Sequence, residues 1–167
     1  CGPWDATWPT AACTAMVLDG IEGTAVTSEA QQSFDAEPGQ LRIIGLPDAT
    51  VREGVLRVRV ALSAVLDRTP FDMGKGVLVN LAPADLKKVG RMLDLPLAAA
   101  YAALMLGIDP AGLAGFLLLG EVALDAGVRP VAGTLAAMLL AKARGLALVC
   151  PTANAAEACL VAGPPIF

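Results

Sequence analysis

A chain of 167 residues with 56% hydrophobic and 17% charged side chains, mean hydropathy +0.63 and net charge −4 is sized for one domain with a full core. So apolar a composition excludes a disordered chain, and the acidic balance argues against a surface that grips nucleic acid by its own charge. The absence of histidine removes Ser-His-Asp and Cys-His catalysis and every imidazole metal ligand.

Residues 1–11 hold both tryptophans and two prolines without periodicity and read as an N-terminal extension. From about Ala12 to Ala30, two short segments flank Asp19-Gly20-Ile21-Glu22-Gly23, which predicts a hairpin. Glu37-Pro38-Gly39 marks a turn before the strand LRIIG at 41–45. Asp48 is the expected N-cap of a helix whose apolar stripe is Val51, Val55, Val58, Leu62 and Val65. Arg52, Glu53, Arg57 and Arg59 fall on its other faces, with Glu53 and Arg57 four apart in the favourable order.

Residues 68–75 read as a loop, and GVLVNLA (76–82) reads as a strand. A polar loop from Asp85 to Arg91 clusters Lys87, Lys88 and Arg91. The stretch Leu95–Gly120 is long enough to cross a bilayer, but Pro96 and Gly107-Ile108-Asp109-Pro110 divide it. Its halves predict a buried helix around 96–106 and a strand around 116–124. Asp125-Ala126-Gly127 then turns the chain back into VRPV.

Thr134 is expected to cap a helix that ends in Lys142, Arg144 and the stop Gly145. LALVC (146–150) is a strand, and Asn154 with Glu157 forms a capping box that opens a last short helix. Strand hairpins mixed with strand–helix units predict a single α/β domain with a mixed sheet.

Chemistry-bearing motifs are sparse. There is neither a GxxxxGK[ST] loop nor GxGxxG, and Gly74-Lys75-Gly76 lacks the flanking residues of a phosphate cradle. Glu121 and Asp125 flank a strand end and read as solvated carboxylates. Cys1, Cys13, Cys150 and Cys159 show no CxxC spacing and read as buried or incidental thiols of a reducing compartment. Cys150 and Cys159 pair only if the fold brings them together. Cys1 with its own amine as base offers one alternative, an N-terminal nucleophile hydrolase. A stand-alone binding module is another.

Four segments carry a family resemblance: GLPDATVREGVLRVRVAL (45–62), VNLAPADLKKVGRMLDLPLAAA (79–100), FLLLGEVALDAGVRPVAGTLAA (116–137) and CPTANAAEACLV (150–161). Together they resemble the N-terminal domain of the YifB/ComM proteins, magnesium-chelatase-like AAA+ ATPases of bacteria. The resemblance implies a domain over 12–162, similar in fold to the Lon protease domain and a ribosomal-protein β-α-β unit. It also implies a linker beginning at 163–167, and an AAA+ module elsewhere that holds ATP and Mg.

For the longer protein it implies a cytoplasmic hexamer acting on DNA, with branch migration in natural transformation. No membrane association is expected. Laid on the Lon pattern, Met92 stands at the nucleophile position and Leu135 at the lysine position, and neither ionises. The expectation is a fragment with no catalytic, cofactor-binding or metal residues. Relatives usually read KKEG and RPVRG where this chain has Val89 and Ala132. Lys87, Lys88, Arg91 and Arg129 remain as the expected DNA or subunit contacts.

Overall fold

The structure, a computed structural model, describes residues 10–33, 36–37, 39–45, 47–66, 76–88 and 90–167. Cys1, the expected loop 68–75 with Gly74-Lys75, and Val89 lie outside the described residues. In chain order the strands and helices are β1 (Thr10–Asp19), β2 (Glu22–Ser33), β3 (Leu41–Ile44), α1 (Ala49–Val65), β4 (Gly76–Ala82) and α2 (Asp94–Leu106). They continue with β5 (Phe116–Leu118), β6 (Glu121–Val122), β7 (Val128–Arg129), α3 (Thr134–Arg144), β8 (Ala147–Val149) and α4 (Ala155–Ala158).

Period-two alternation sets the first pair. β1 and β2 run antiparallel from Thr10↔Gln31 to Asp19↔Glu22, so the hairpin extends past the expected 12–30 at both ends. Ala11, Cys13, Ala15 and Val17 join one buried cluster while Met16 joins another, because successive side chains of a strand point to opposite faces. Among the described residues the main sheet has the order β3-β4-β2-β1-β5-β8. β2 opposes β1 and β4, while the pairs β3–β4, β1–β5 and β5–β8 are parallel. The mixed α/β class is therefore as expected.

One face of the sheet packs on α1 and α2, through Val51, Val58, Leu97 and Tyr101 against Val26, Val79 and Leu81. The other packs on α3 through Ala137, Met138 and Ala141 against Met16, Leu117 and Leu148. Asp48 caps α1 as expected, its Oδ1 accepting from the Val51 amide at 2.8 Å. Val51, Val58 and Leu62 of the predicted stripe are buried, whereas Val65 is exposed in the last turn. Gly145, with φ +67, ends α3 after Lys142 and Arg144.

Leu95–Gly120 resolves into α2, a 3-10 turn and β5, and among the described residues no helix is long and apolar enough to cross a membrane. The expected strand 116–124 is not continuous. It breaks at Gly120, whose amide donates to the Met92 carbonyl (3.4 Å) and whose carbonyl accepts from Leu95 (3.1 Å). Beyond that break, β6 pairs with β7 as a separate ribbon, Glu121 opposite Arg129.

Thr134 does not cap α3. It is the first helical residue, with Gly133 at the N-cap and its own hydroxyl buried without a partner among the described residues. Nor do Asn154 and Glu157 form a capping box. Asn154 pairs with the Val131 backbone through Nδ2 to the carbonyl (2.9 Å) and Oδ1 from the amide (3.2 Å). Glu157 Oε1 instead accepts from the Leu135 amide at 2.9 Å, capping the start of α3 from a distance. The chain's last residues lie beside β8, Phe167 donating to Leu148 and accepting from Cys150.

Cys13 illustrates the core's chemistry. Its thiol donates to the Pro96 carbonyl at 3.4 Å, and burial pushes its pKa up to about 12. At pH 8 a thiol reagent is expected to label exposed Cys159 and spare Cys13, as read by peptide mapping. The folded chain keeps a proton that the unfolded thiol releases near 9.0, so stability is expected to fall as pH climbs from 9.0 toward 12. Labelling of Cys13 in the native protein at pH 8 would contradict this burial.

Candidate functional site

β1, β3, β4, β5 and β8 all point one way, and the segments leaving β4 and β5 meet beyond their carboxyl ends, the customary place for a site in an α/β sheet. A cleft of about 440 Å³ opens there. Arg57 comes to it from the middle of α1, Arg91 from the 3-10 turn before α2, and Glu121 and Arg129 from facing positions of the β6–β7 ribbon. Ala123 and Leu124 add apolar wall, and Asp125 stands at the turn with Oδ1 held by the Gly127 amide (3.0 Å).

Beneath the cleft lies a buried ion pair. Arg57 Nε donates to Asp94 Oδ2 at 3.0 Å and Nη2 to Oδ1 at 3.2 Å, a two-bond fork onto a carboxylate with no exposed surface. The Val122 amide adds a third donor to Oδ2 at 3.3 Å. Burial pushes the Asp94 pKa up and the Arg57 guanidinium opposes that; the hydrogen bond to Asp94 raises Arg57 in turn.

Close approach of α1 and α2 makes this possible. A Cβ on Gly54 would sit 2.3 Å from Asp94 Oδ1, so only glycine leaves room for the carboxylate. Above the buried pair, Arg91 Nη1 donates to Glu121 Oε1 at 3.0 Å. Arg91 is half exposed and Glu121 mostly covered, so Glu121 is an ion-pair partner and not the solvated acid the sequence suggested. Arg57 likewise turns to Asp94 and not to its helical neighbour Glu53.

The four expected contact residues separate. Arg91 and Arg129 share the cleft, and Lys87 is exposed on the loop. Lys88 is a correction: its side chain is fully buried, and Nζ donates to the Pro83 carbonyl. Its own carbonyl accepts from the Asp48 amide at 3.0 Å, tying the loop to the start of α1, and burial lowers its pKa. It cannot reach a partner.

Met92 is half-buried and packs against both apolar clusters, while Leu135 is 41% exposed at the start of α3. Ser28 is fully buried in the sheet, its hydroxyl without a partner among the described residues, and Ser63 donates to the Arg59 carbonyl at 2.9 Å. Sequence reasoning missed Arg57, Asp94 and Glu121 as a unit. A glycine inside an otherwise good helix was the one local sign of a close approach at Gly54.

A family model described as subunit ChlI of Mg-chelatase matches residues 30–154. An uncharacterized protein of Mycobacterium tuberculosis is 39% identical over 150 residues, which are 89% of this chain and 29% of that protein. The competence protein ComM of Haemophilus influenzae is 38% identical over 142 residues, 85% of this chain and 27% of ComM. The protein YifB of Salmonella typhimurium is 36% identical over 148 residues, 89% and 28% respectively. The chain spans less than a third of the length of these relatives.

Proposed function

The chain belongs to the family of Mg-chelatase subunit ChlI, and from that premise we propose that it is the non-catalytic, Lon-like N-terminal domain of a YifB/ComM-type AAA+ ATPase. Its role is to support ring assembly and to engage DNA or a partner on behalf of the motor. The longer protein is then a cytoplasmic hexamer that processes DNA, with branch migration in transformation as its cellular task.

The observation that carries this reading is the cleft itself. It brings Arg57, Arg91 and Arg129 together with Glu121 and Asp125 at one end of a chain whose net charge is −4. Two of these arginines are oriented by carboxylates, so their remaining N–H groups are presented in fixed directions. Such a surface binds and orients. The thioether of Met92 and the alkyl chain of Leu135 cannot attack a carbonyl or relay a proton, which supports a non-catalytic role. With no phosphate-cradling loop, the chain's residues do not fit ATP and Mg, and these belong to the AAA+ module.

In the full-length protein, Lys87→Glu combined with Arg129→Glu is expected to lower hexamer formation or DNA-stimulated ATP hydrolysis about tenfold, read by light scattering and phosphate release. Both positions are exposed, so folding is expected to survive. If assembly and stimulation both persist unchanged, the contact reading fails.

A further inference from the structure

Exposed leucines gather on the outer face of α3. Leu135, Leu139 and Lys142 stand at i, i+4 and i+7, one stripe of the helix, while Ala137, Met138 and Ala141 face the sheet. The chain from Glu157 to Ala162 runs along that stripe. It is fastened at the start of α3 by Glu157 Oε1, which accepts from the Leu135 amide at 2.9 Å. At the far end Lys142 Nζ donates to the Ala162 carbonyl at 2.7 Å. Leu160, 75% exposed, therefore lies between the two fastenings, alongside the 54%-exposed Leu139. A single exposed leucine is ordinary on a surface, but a contiguous strip of them marks a contact.

The path of the chain after the strip is fixed as well. The Leu148 amide donates to the Pro165 carbonyl (2.9 Å), the Phe167 amide to Leu148 (2.9 Å) and the Cys150 amide to Phe167 (3.0 Å). Ile166 packs into the cluster beneath α3, so Phe167 is held at the sheet edge under the same layer. A helix is about 10–12 Å across, and about five extended residues reach from there to its outer face.

We infer that the strip Leu135–Leu139–Leu160 is the seat of the AAA+ module of the same chain, which docks on it through an apolar patch of its own. The inference rests on the proposed function, which puts that module after this domain, and it names the surface that joins the two. The matched stretch is less than a third of each relative's length, so most of such a protein lies outside this domain. Joined at Phe167, the module has an effective concentration at the strip of about millimolar order, which a second copy must match from solution. A nucleic acid, gripped through its phosphates, gains nothing from leucines. Leu56 and Val60 form a comparable exposed pair on α1, but α1 covers the opposite face of the sheet.

The test places single cysteines in the full-length protein, Leu139→Cys on α3 and Leu56→Cys on α1, and follows thiol labelling by peptide mapping. Leu56 is 63% exposed and serves as the open reference, and an unlabelled Cys13 shows that the domain is folded. Labelling at position 139 is expected to be at least about tenfold slower than at position 56, at concentrations where sedimentation shows a monomer. Adding Leu160→Asp is expected to bring position 139 within about threefold of position 56, because a charge in the strip undoes the docking. Equal rates at the two positions in a protein that hydrolyses ATP overturn the docking and leave the proposed function standing. Protection confined to the assembled protein gives the strip to a second copy and overturns the docking, as does protection that survives Leu160→Asp. A full-length protein without ATP hydrolysis overturns the proposed function and the docking with it.

Discussion

Asp94→Ala is expected to cost about 3–5 kcal/mol of folding stability, the range for removing one partner of a buried ion pair. The carboxylate has no exposed surface and accepts from Arg57 Nε, Arg57 Nη2 and the Val122 amide. Its loss leaves a guanidinium that is only 17% exposed facing an apolar gap, and frees β6 from the start of α2. Urea denaturation at neutral pH checks the figure, and a loss below about 1 kcal/mol would mean the pair contributes little.

The reciprocal change has its own signature. Arg57→Ala leaves Asp94 buried without its cation, so burial raises its pKa further than it does in the native protein. The folded variant then holds a proton that the unfolded chain has lost, and its stability falls as pH rises above the unfolded carboxyl value near 3.8. It is therefore expected to be less impaired at pH 4 than at pH 7. Gly54→Ala, which gains helix propensity on an open surface, is expected to destabilise here because its methyl group meets Asp94 Oδ1.

Gly45→Ala is the second large effect. Gly45 has φ +96, and a Cβ there would lie 2.1 Å from the Leu81 carbonyl oxygen and 2.9 Å from its carbon. Those atoms are backbone of β4, in the ladder that pairs with β3 and β2, so they cannot yield without opening the sheet. Strained conformation and collision together are expected to cost at least about 3 kcal/mol. A shift in the urea midpoint equivalent to less than 1 kcal/mol would refute this.

Local pattern read well where local forces decide the outcome. β4 has the bounds its alternation implied, Asp48 caps α1, and Gly145 stops α3, because each depends on neighbours within one turn or one strand. The errors share a cause. Asn154 and Glu157 have the capping-box spacing, but their side chains are used on Val131 and Leu135, more than twenty residues away in sequence. Arg57 had Glu53 one turn away and chose Asp94, thirty-seven residues on, because a buried fork outweighs an exposed helical pair. Lys88 was expected beside Lys87 as a contact residue, and nothing nearby disclosed that the Pro83 carbonyl would receive it inside the fold.

Of the residues around the cleft, the sequence pointed to two arginines and missed Arg57 and the acids. Arg91 and Arg129 were singled out as contact residues, and they do share the cleft. Glu121 was assigned to solvent because it flanks a strand end and turn, and a strand read straight through 116–124 did not disclose the break at Gly120 or the ion pair with Arg91.

The parallel pairing of β1 with β5 has a consequence for biosynthesis. Thr14 finds its neighbour Leu117 only when about a hundred further residues have been made. At ribosomal rates of about 5–20 residues per second, the β1–β2 hairpin waits on the order of 5–20 s with one row of backbone amides and carbonyls uncovered. An uncovered strand edge invites pairing with another nascent chain. Slower elongation between residues 33 and 117 lengthens that exposure and is therefore expected to lower the yield of folded protein in the cell.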